Sequence, residues 1–137
     1  MTTQARATFT ITFEQSGRAP KNPRTSPART PRVARLLALA HDIERRIRDG
    51  ELADLAHAAR SLGLTRARVT QIANLTLLAP AIQEEILTMP PVTAGRDLVT
   101  ERTLRRILAE PVWYEQAELW RPLASAADPD HGCRIRG

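Results

Sequence analysis

Hydrogen-bonding side chains recur between positions 66 and 74 of this 137-residue chain at spacings of three and four residues. These spacings place the side chains on one face of a helix. Glutamine and asparagine amides can bind adenine, arginine can bind guanine or a phosphate, and a threonine or alanine methyl group can contact a thymine methyl. The segment therefore predicts a surface that reads bases. Its candidate residues are Arg66, Ala67, Thr70, Gln71 and Asn74.

Small and apolar residues around this face follow the order of a helix-turn-helix. Gly63 stands where a tight turn must join two helices, and Ala59, four residues earlier, is small enough to let them cross closely. Apolar residues on both sides of the turn complete the pattern: Leu62, Leu64, Val69 and Ile72. A helix-turn-helix lays its second helix in the DNA major groove. The alternative is an ordinary pair of packed helices, because such turns also occur without DNA.

The charge distribution favours DNA over that alternative. The chain has 15 acidic residues in 137, yet none lies between Leu55 and Gln83. An acid-free run of this length is typical of a surface that approaches phosphate. Arg66 and Arg68, on the two flanks of the face, suit either guanine or phosphate, and for each we favour phosphate. The candidate phosphate contacts are Arg32, Arg35, Arg45, Arg46, Arg60, Thr65 and Arg68.

The excess positive charge lies at the start of the chain. Residues 1–35 hold seven basic residues and one acid, a balance of +6, whereas the whole chain carries +5. We expect residues 1–30 to form a basic, largely flexible arm with a short strand at 7–13, where Phe9, Ile11 and Phe13 alternate with threonines. Such an arm can follow phosphates or enter the minor groove. A solvated tail without a role is the alternative.

The remaining pattern predicts an all-α fold, a small bundle of five or six helices in a domain spanning residues 31–120. Apolar residues recur at helical spacing from Val33 to Ile47, and residues suited to helix starts precede each later segment. We expect Thr30, Asp54, Thr65 and Thr100 as N-caps, and Pro31, Pro80 and Pro111 in first turns. The sixth helix should end near Trp120. Residues 121–137 should form a flexible tail.

Other classes of function find little support. Cys133 is the single cysteine, and the three histidines follow no metal-binding spacing, so we expect no metal, no cofactor and no enzymatic activity. The longest uncharged stretch, residues 69–83, is too short and too polar to span a membrane. No leader pattern opens the chain. We therefore expect a cytoplasmic protein.

Aromatic residues near the end of the predicted domain have two interpretations. Trp113 and Trp120 share a stripe of the sixth helix. Such a stripe usually packs on the domain's own core. The other interpretation is a partner surface, for a second copy of the chain or for a site-specific recombinase, because aromatic residues are favoured interface anchors.

The segment TRARVTQIANLTLLAPAIQEEIL (65–87) resembles the helix-turn-helix core of ParB/KorB-type partition and repressor proteins. The resemblance extends from about residue 32 to 108. With TERTLRRILAEPVWYEQAELW (100–120), the chain is still more similar to small stand-alone helix-turn-helix proteins of mobile elements and prophages that accompany recombinases. This resemblance implies sequence-specific DNA binding, in transcription regulation or as a recombination accessory factor. The nucleotide-binding domain of partition proteins has no counterpart among the residues before the first helix, so CTP-driven clamping is not expected.

The alternative function is a protein-interaction adaptor. Its bundle would dock a recombinase or a polymerase subunit, and contact with DNA would be incidental.

Overall fold

The computed structural model describes residues 27–127, and this range contains six α-helices. The helices are α1 (Arg32–Arg48), α2 (Leu55–Leu62), α3 (Arg66–Ala73), α4 (Pro80–Leu87), α5 (Glu101–Leu108) and α6 (Trp113–Ala127), with a 3-10 turn at Asn74–Leu77. The predicted all-α class and the number of helices are confirmed for this range. The predicted strand at 7–13 lies outside the described residues.

The core is built around α1, which packs against α2, α3, α4 and the 3-10 turn. Its buried side chains recur every three or four residues: Val33, Ala34, Leu37, Ala40 and Ile43. α5 packs against α6 and the 3-10 turn, and α6 also contacts α4. Each fully buried Leu or Ile contributes about 1.5–3 kcal/mol. This packing determines which side of each shorter helix is buried and which side is exposed.

The start of α1 differs from the prediction. Thr30 does not cap the helix, which begins at Arg32 after Pro31 without a local side-chain cap. Instead the Asp97 carboxylate, 65 residues along the chain, accepts the Arg32 backbone N–H at 2.8 Å. Asp97 also forms an ion pair with Arg29 at 2.6 Å. A distant carboxylate therefore replaces the expected local cap, because it satisfies a free N–H and suits the positive end of the helix dipole.

The last residues of the predicted arm contact the folded domain. Arg29 and Val92 exchange two backbone hydrogen bonds of 3.0 and 2.8 Å, forming an isolated antiparallel bridge. The backbone before α1 is thus fixed to the loop that precedes α5. The preceding part of the arm, residues 1–26, lies outside the described residues.

The last helix is displaced and longer than predicted. α6 begins at Trp113 rather than Pro111, and it passes through Pro122 to Ala127 instead of ending at Trp120. Pro122 removes one helical hydrogen bond. However, Leu123, Ala124 and Ala127 continue the apolar spacing of Trp120 and pack on the core, and their burial offsets that loss. The first residues of the predicted tail are therefore helical, and the tail from 128 onward lies outside the described residues.

The Asp97 cap gives a prediction about stability. The backbone N–H of Arg32, together with Arg29, holds the pKa of Asp97 below its usual value. Asp97→Asn keeps an oxygen that can accept the Arg32 N–H but removes the negative charge that faces the helix dipole and Arg29. It should therefore lower the free energy of unfolding at neutral pH by about 0.5–1 kcal/mol. Because the folded pKa is depressed, wild-type stabilisation is present above the unfolded value of about 3.9 and is lost as pH falls through the folded pKa.

Urea unfolding as a function of pH measures this effect. The difference between wild type and Asp97→Asn should shrink as pH falls from about 5 to about 3. Glu118→Gln is the control, because the Glu118 carboxylate pairs with Arg121 on the surface of α6. A difference that stays constant over this pH range would contradict the role given to Asp97.

Candidate nucleic-acid interface

A tight turn at Gly63 joins α2 to α3. Gly63 has φ 65°, in the left-handed region that favours glycine. Its N–H donates to the Arg60 carbonyl, and the Leu64 N–H donates to the Ala59 carbonyl at 2.9 Å. These two bonds close the end of α2 as a Schellman motif. Ala59 is buried at the junction, so the turn directs α3 across α2 at close range.

Each of the two helices begins at the cap that the sequence predicts. The Asp54 carboxylate accepts the His57 N–H at 2.7 Å, which lowers the pKa of Asp54. The Thr65 hydroxyl oxygen accepts the Arg68 N–H at 3.1 Å. Both caps satisfy N–H groups that the first turn of a helix leaves free. The first residue of α3 is therefore set by short-range chemistry.

α3 has one buried side and one exposed side. Val69 and Ile72 are fully buried against the core. The opposite side carries four of the five predicted base-reading residues with exposed side chains: Arg66, Ala67, Gln71 and Asn74. Together they present a guanidinium, a methyl group and two amides, which can make both hydrogen-bonding and apolar contacts to base edges.

Thr70, the fifth predicted base-reading residue, is placed differently. It is half-buried, and its hydroxyl donates to the Arg66 carbonyl at 2.9 Å within α3. The hydroxyl hydrogen is therefore already in use. Only the oxygen lone pairs and the methyl group remain for a ligand.

Arg68 is bound to α5 rather than free on the surface. Its Nη1 atom donates to the Glu101 Oε1 atom at 2.5 Å and, at a longer 3.4 Å, to the Gln71 Oε1 atom. The Arg68 hydrogen bond lowers the pKa of Glu101, so this carboxylate is ionised at neutral pH. With its carbonyl oxygen towards Arg68, Gln71 keeps its amide NH₂ for other partners. The contact with Gln71 is long for a hydrogen bond, whereas a phosphate contact by Arg68 would have to compete with Glu101.

Four other arginines were predicted to contact phosphate, and they fall into two groups: Arg45 and Arg46, and Arg32 and Arg35. Arg45 pairs with three acids on the surface, including Asp42 at 2.8 Å, and Arg46 pairs with Glu51 at 3.0 Å. Their charges are compensated at the end of α1, so a phosphate would have to compete with these acids for both arginines. Arg32 and Arg35 are exposed and form no ion pair within residues 27–127.

Arg60 and Thr65 flank the exposed side of α3. Arg60, in the last turn of α2, is exposed and unpaired within the described range. The Thr65 hydroxyl oxygen accepts a bond from within α3, so its hydrogen can still be donated to a phosphate oxygen. These two residues keep the chemistry that their predicted roles require.

α5 contributes residues to this region that the sequence interpretation did not include. A groove of about 330 Å³ separates α3 and the 3-10 turn from α5. Gln71 and Asn74 line one side, and Glu101 and Arg105 line the other, with Arg105 3.6 Å from the Glu101 carboxylate. The sequence around Glu101 and Arg105 does not indicate that these residues lie beside α3. Only the packing of the bundle brings them to α3.

The aromatic stripe of α6 divides into an inner and an outer part. Trp120 is 3% exposed, and its Nε1 atom donates to the Glu85 carboxylate at 2.6 Å. It is a core residue, which corrects its assignment to a partner interface. Trp113 is 58% exposed and lies beside exposed Tyr114. Of the predicted pair, only Trp113 remains available to a partner.

A metal-binding cluster and a membrane-spanning helix are both absent from the described part of the chain. Residues 27–127 bring no three histidine, cysteine, aspartate or glutamate side chains together where they could hold a metal ion. None of the helices in this range is both long enough and apolar enough to cross a membrane.

Comparison of the chain with protein-family models, with curated proteins and with solved structures finds no match.

The pairing of Arg68 with Glu101 predicts a measurable coupling. Both side chains are mostly buried, at 27% and 18% exposed, so solvent screens their attraction less than on an open surface. A double-mutant cycle with Arg68→Gln and Glu101→Gln should give a coupling free energy of about 1 kcal/mol in urea unfolding.

The matched control is the cycle on Arg121 and Glu118. That pair has a similar contact distance of 2.6 Å but is more exposed, and its coupling should be about 0.3 kcal/mol. Equal couplings in the two cycles would show that the Arg68–Glu101 contact contributes no more than a surface ion pair.

Proposed function

We propose that this protein binds double-stranded DNA sequence-specifically and reads the major groove with α3, the second helix of a helix-turn-helix formed by α2 and α3. The observation that carries the proposal is the division of α3 into two sides. Val69 and Ile72 are buried, while Gln71 and Asn74 point away from the core and are exposed. A recognition helix needs this division, because one side must be held rigidly while the other meets base edges.

The chemistry of the exposed side fits base recognition. An amide that donates through its NH₂ and accepts through its oxygen suits the N7 and N6 groups of adenine, and the Ala67 methyl suits thymine. Gln71 already has its carbonyl oxygen near Arg68. Its NH₂ group can donate to acceptors such as purine N7. Asn74, which follows α3 directly at the start of the 3-10 turn, is exposed and suits the next bases in the groove.

Phosphate contacts would hold this surface in register. Arg60 on α2 and Arg66 at the start of α3 are exposed, unpaired within residues 27–127, and separated by the Gly63 turn. The start of α3 favours an anion through its backbone N–H groups and helix dipole. Contacts of this kind fix orientation without reading sequence.

The biological role is proposed from the resemblance to ParB/KorB-type and mobile-element helix-turn-helix proteins. We propose a cytoplasmic transcriptional regulator or a recombination accessory factor, without enzymatic activity. Helix-turn-helix proteins commonly bind paired half-sites as dimers. A homodimer, or a complex with a site-specific recombinase, would use the exposed face of α6 around Trp113.

The adaptor function remains the second candidate because large apolar side chains are exposed at and around the start of α6. Val112, Trp113, Tyr114 and Leu119 are all about half or more exposed, and aromatic side chains are favoured anchors in protein interfaces. The two functions differ in their response to salt. A DNA-binding regulator loses affinity for random-sequence DNA steeply as salt rises, whereas an adaptor binds little DNA at any salt concentration.

Two alanine variants test the division of roles on a duplex selected from a random pool. Gln71→Ala should cost about 1–3 kcal/mol of binding free energy on the selected duplex and relax the preference at one base position. Arg60→Ala should weaken binding to selected and random duplexes alike and make the dependence on salt shallower. Fluorescence anisotropy at several salt concentrations measures both effects.

Ser125→Ala is the control, since Ser125 is exposed on α6 and should leave both affinities unchanged. Equal losses on selected and random DNA for Gln71→Ala and Arg60→Ala would remove the base-reading role from Gln71.

A further inference from the structure

An arginine-lined groove lies between the start of α1, the loop before α5 and the start of α5. Its volume is about 510 Å³. Five of the side chains that line it are cationic: Arg29, Arg32, Arg35, Arg96 and Arg102. All five residues are exposed. The groove thus concentrates positive charge where solvent and ligands can reach it.

The two acids that line the groove are already engaged. Asp97 caps α1 through the Arg32 N–H and pairs with Arg29. Glu101 holds Arg68 of α3 and lies 3.6 Å from Arg105. Both acidic side chains are largely buried, at 13% and 18% exposed. They offset only part of the positive charge of the groove, because two carboxylates face five guanidinium groups.

The outer arginines carry unbalanced charge. Within residues 27–127, the guanidinium groups of Arg32, Arg35, Arg96 and Arg102 take part in no ion pair. Like charges held around one groove repel each other, and an anion bound between them relieves that repulsion. Guanidinium groups match phosphate oxygens in geometry as well as in charge.

We propose that this groove binds phosphate groups of the DNA backbone and extends the DNA contact from α3 to α1 and α5. The proposal rests on the proposed function. The link between the two surfaces is Glu101, whose carboxylate lines the groove and also holds Arg68 of α3. A backbone that passes α3 can continue along the groove because the two surfaces meet at this residue.

The groove and α3 would then supply different parts of the binding free energy. Phosphate contacts in the groove add affinity for any sequence and add to the salt dependence. The amides of α3 distinguish one sequence from another. Substitutions in the groove should therefore change affinity without changing selectivity.

Arg35→Gln and Arg102→Gln, made separately, test this division. Each variant should bind selected and random duplexes more weakly by the same factor. Each should also lower the slope of log affinity against log salt by about 0.9 for one lost phosphate contact. The ratio of the two affinities should stay at its wild-type value. Because both residues are exposed, thermal unfolding should be unchanged, and circular dichroism checks that the variants are folded.

Arg121→Gln is the matched control. It also removes one exposed arginine, but from α6, where Arg121 pairs with Glu118. It should leave the affinity and the salt slope unchanged. If wild type binds duplex DNA and the groove variants behave like this control, the phosphate groove is overturned while the proposed function stands.

Failure of the proposed function would give a different result. Wild type would then bind neither duplex at low salt, and the groove would be tested by calorimetry with inorganic tripolyphosphate as the probe. Saturable binding that Arg35→Gln and Arg102→Gln both weaken would retain the phosphate site with a small anion as its ligand. Absence of tripolyphosphate binding would overturn the site itself.

Discussion

Burial of Val69 and Ile72 against the core holds α3 in place, and the proposed function depends on that contact. A helix of eight residues is too short to be stable alone in water. Two buried aliphatic side chains contribute about 3–6 kcal/mol in total, enough to keep such a helix folded once Gly63 and Thr65 fix its start. The polar side of α3 is consequently presented in one orientation. A reading surface needs that rigidity, because misplaced donors lose their match to base edges.

Charge in this protein is divided between compensated and uncompensated arginines. Arg45 and Arg46 are paired with acids near the end of α1, and Arg68 is paired with Glu101. The uncompensated arginines of the described range include those near the start of α3 and in the groove between α1 and α5. If arginines had only to balance the acids or stabilise the fold, we would expect most of them to be paired. The uneven distribution favours a polyanionic ligand that meets these two surfaces.

Glu101 connects these features. It neutralises Arg68, which also lies 3.4 Å from the amide oxygen of Gln71. It also marks the border between α3 and the arginine groove. One carboxylate on α5 therefore influences both the proposed reading surface and the proposed phosphate surface, although it belongs to neither the turn nor the helix that the sequence singles out.

Local signals in the sequence were sufficient for much of the fold. Asp54, Thr65 and Thr100 cap the helices that they were predicted to cap, since a cap bonds to an N–H only a few residues away. Gly63 likewise ends α2 as its position indicates.

Contacts between distant residues were not predictable in this way. The cap of α1 comes from Asp97, 65 residues away, and the partner of Arg68 is 33 residues away. Neither pairing leaves a pattern in the sequence near Arg32 or Arg68. The predicted end of α6 is too early because Pro122 indicates the end of a helix. The apolar residues after Pro122 nevertheless continue the helical spacing and pack on the core. Burial of Trp120 also depends on the position of α4, which supplies Glu85.

Two-dimensional ¹H–¹⁵N NMR with a selected duplex tests the central claim most directly, because it observes each backbone amide and the side-chain NH₂ groups of Gln71 and Asn74. We predict that resonances from residues 65–74 and from these two NH₂ groups shift on addition of the duplex. Shifts confined to the exposed face of α6, with α3 unaffected, would contradict recognition of DNA by α3.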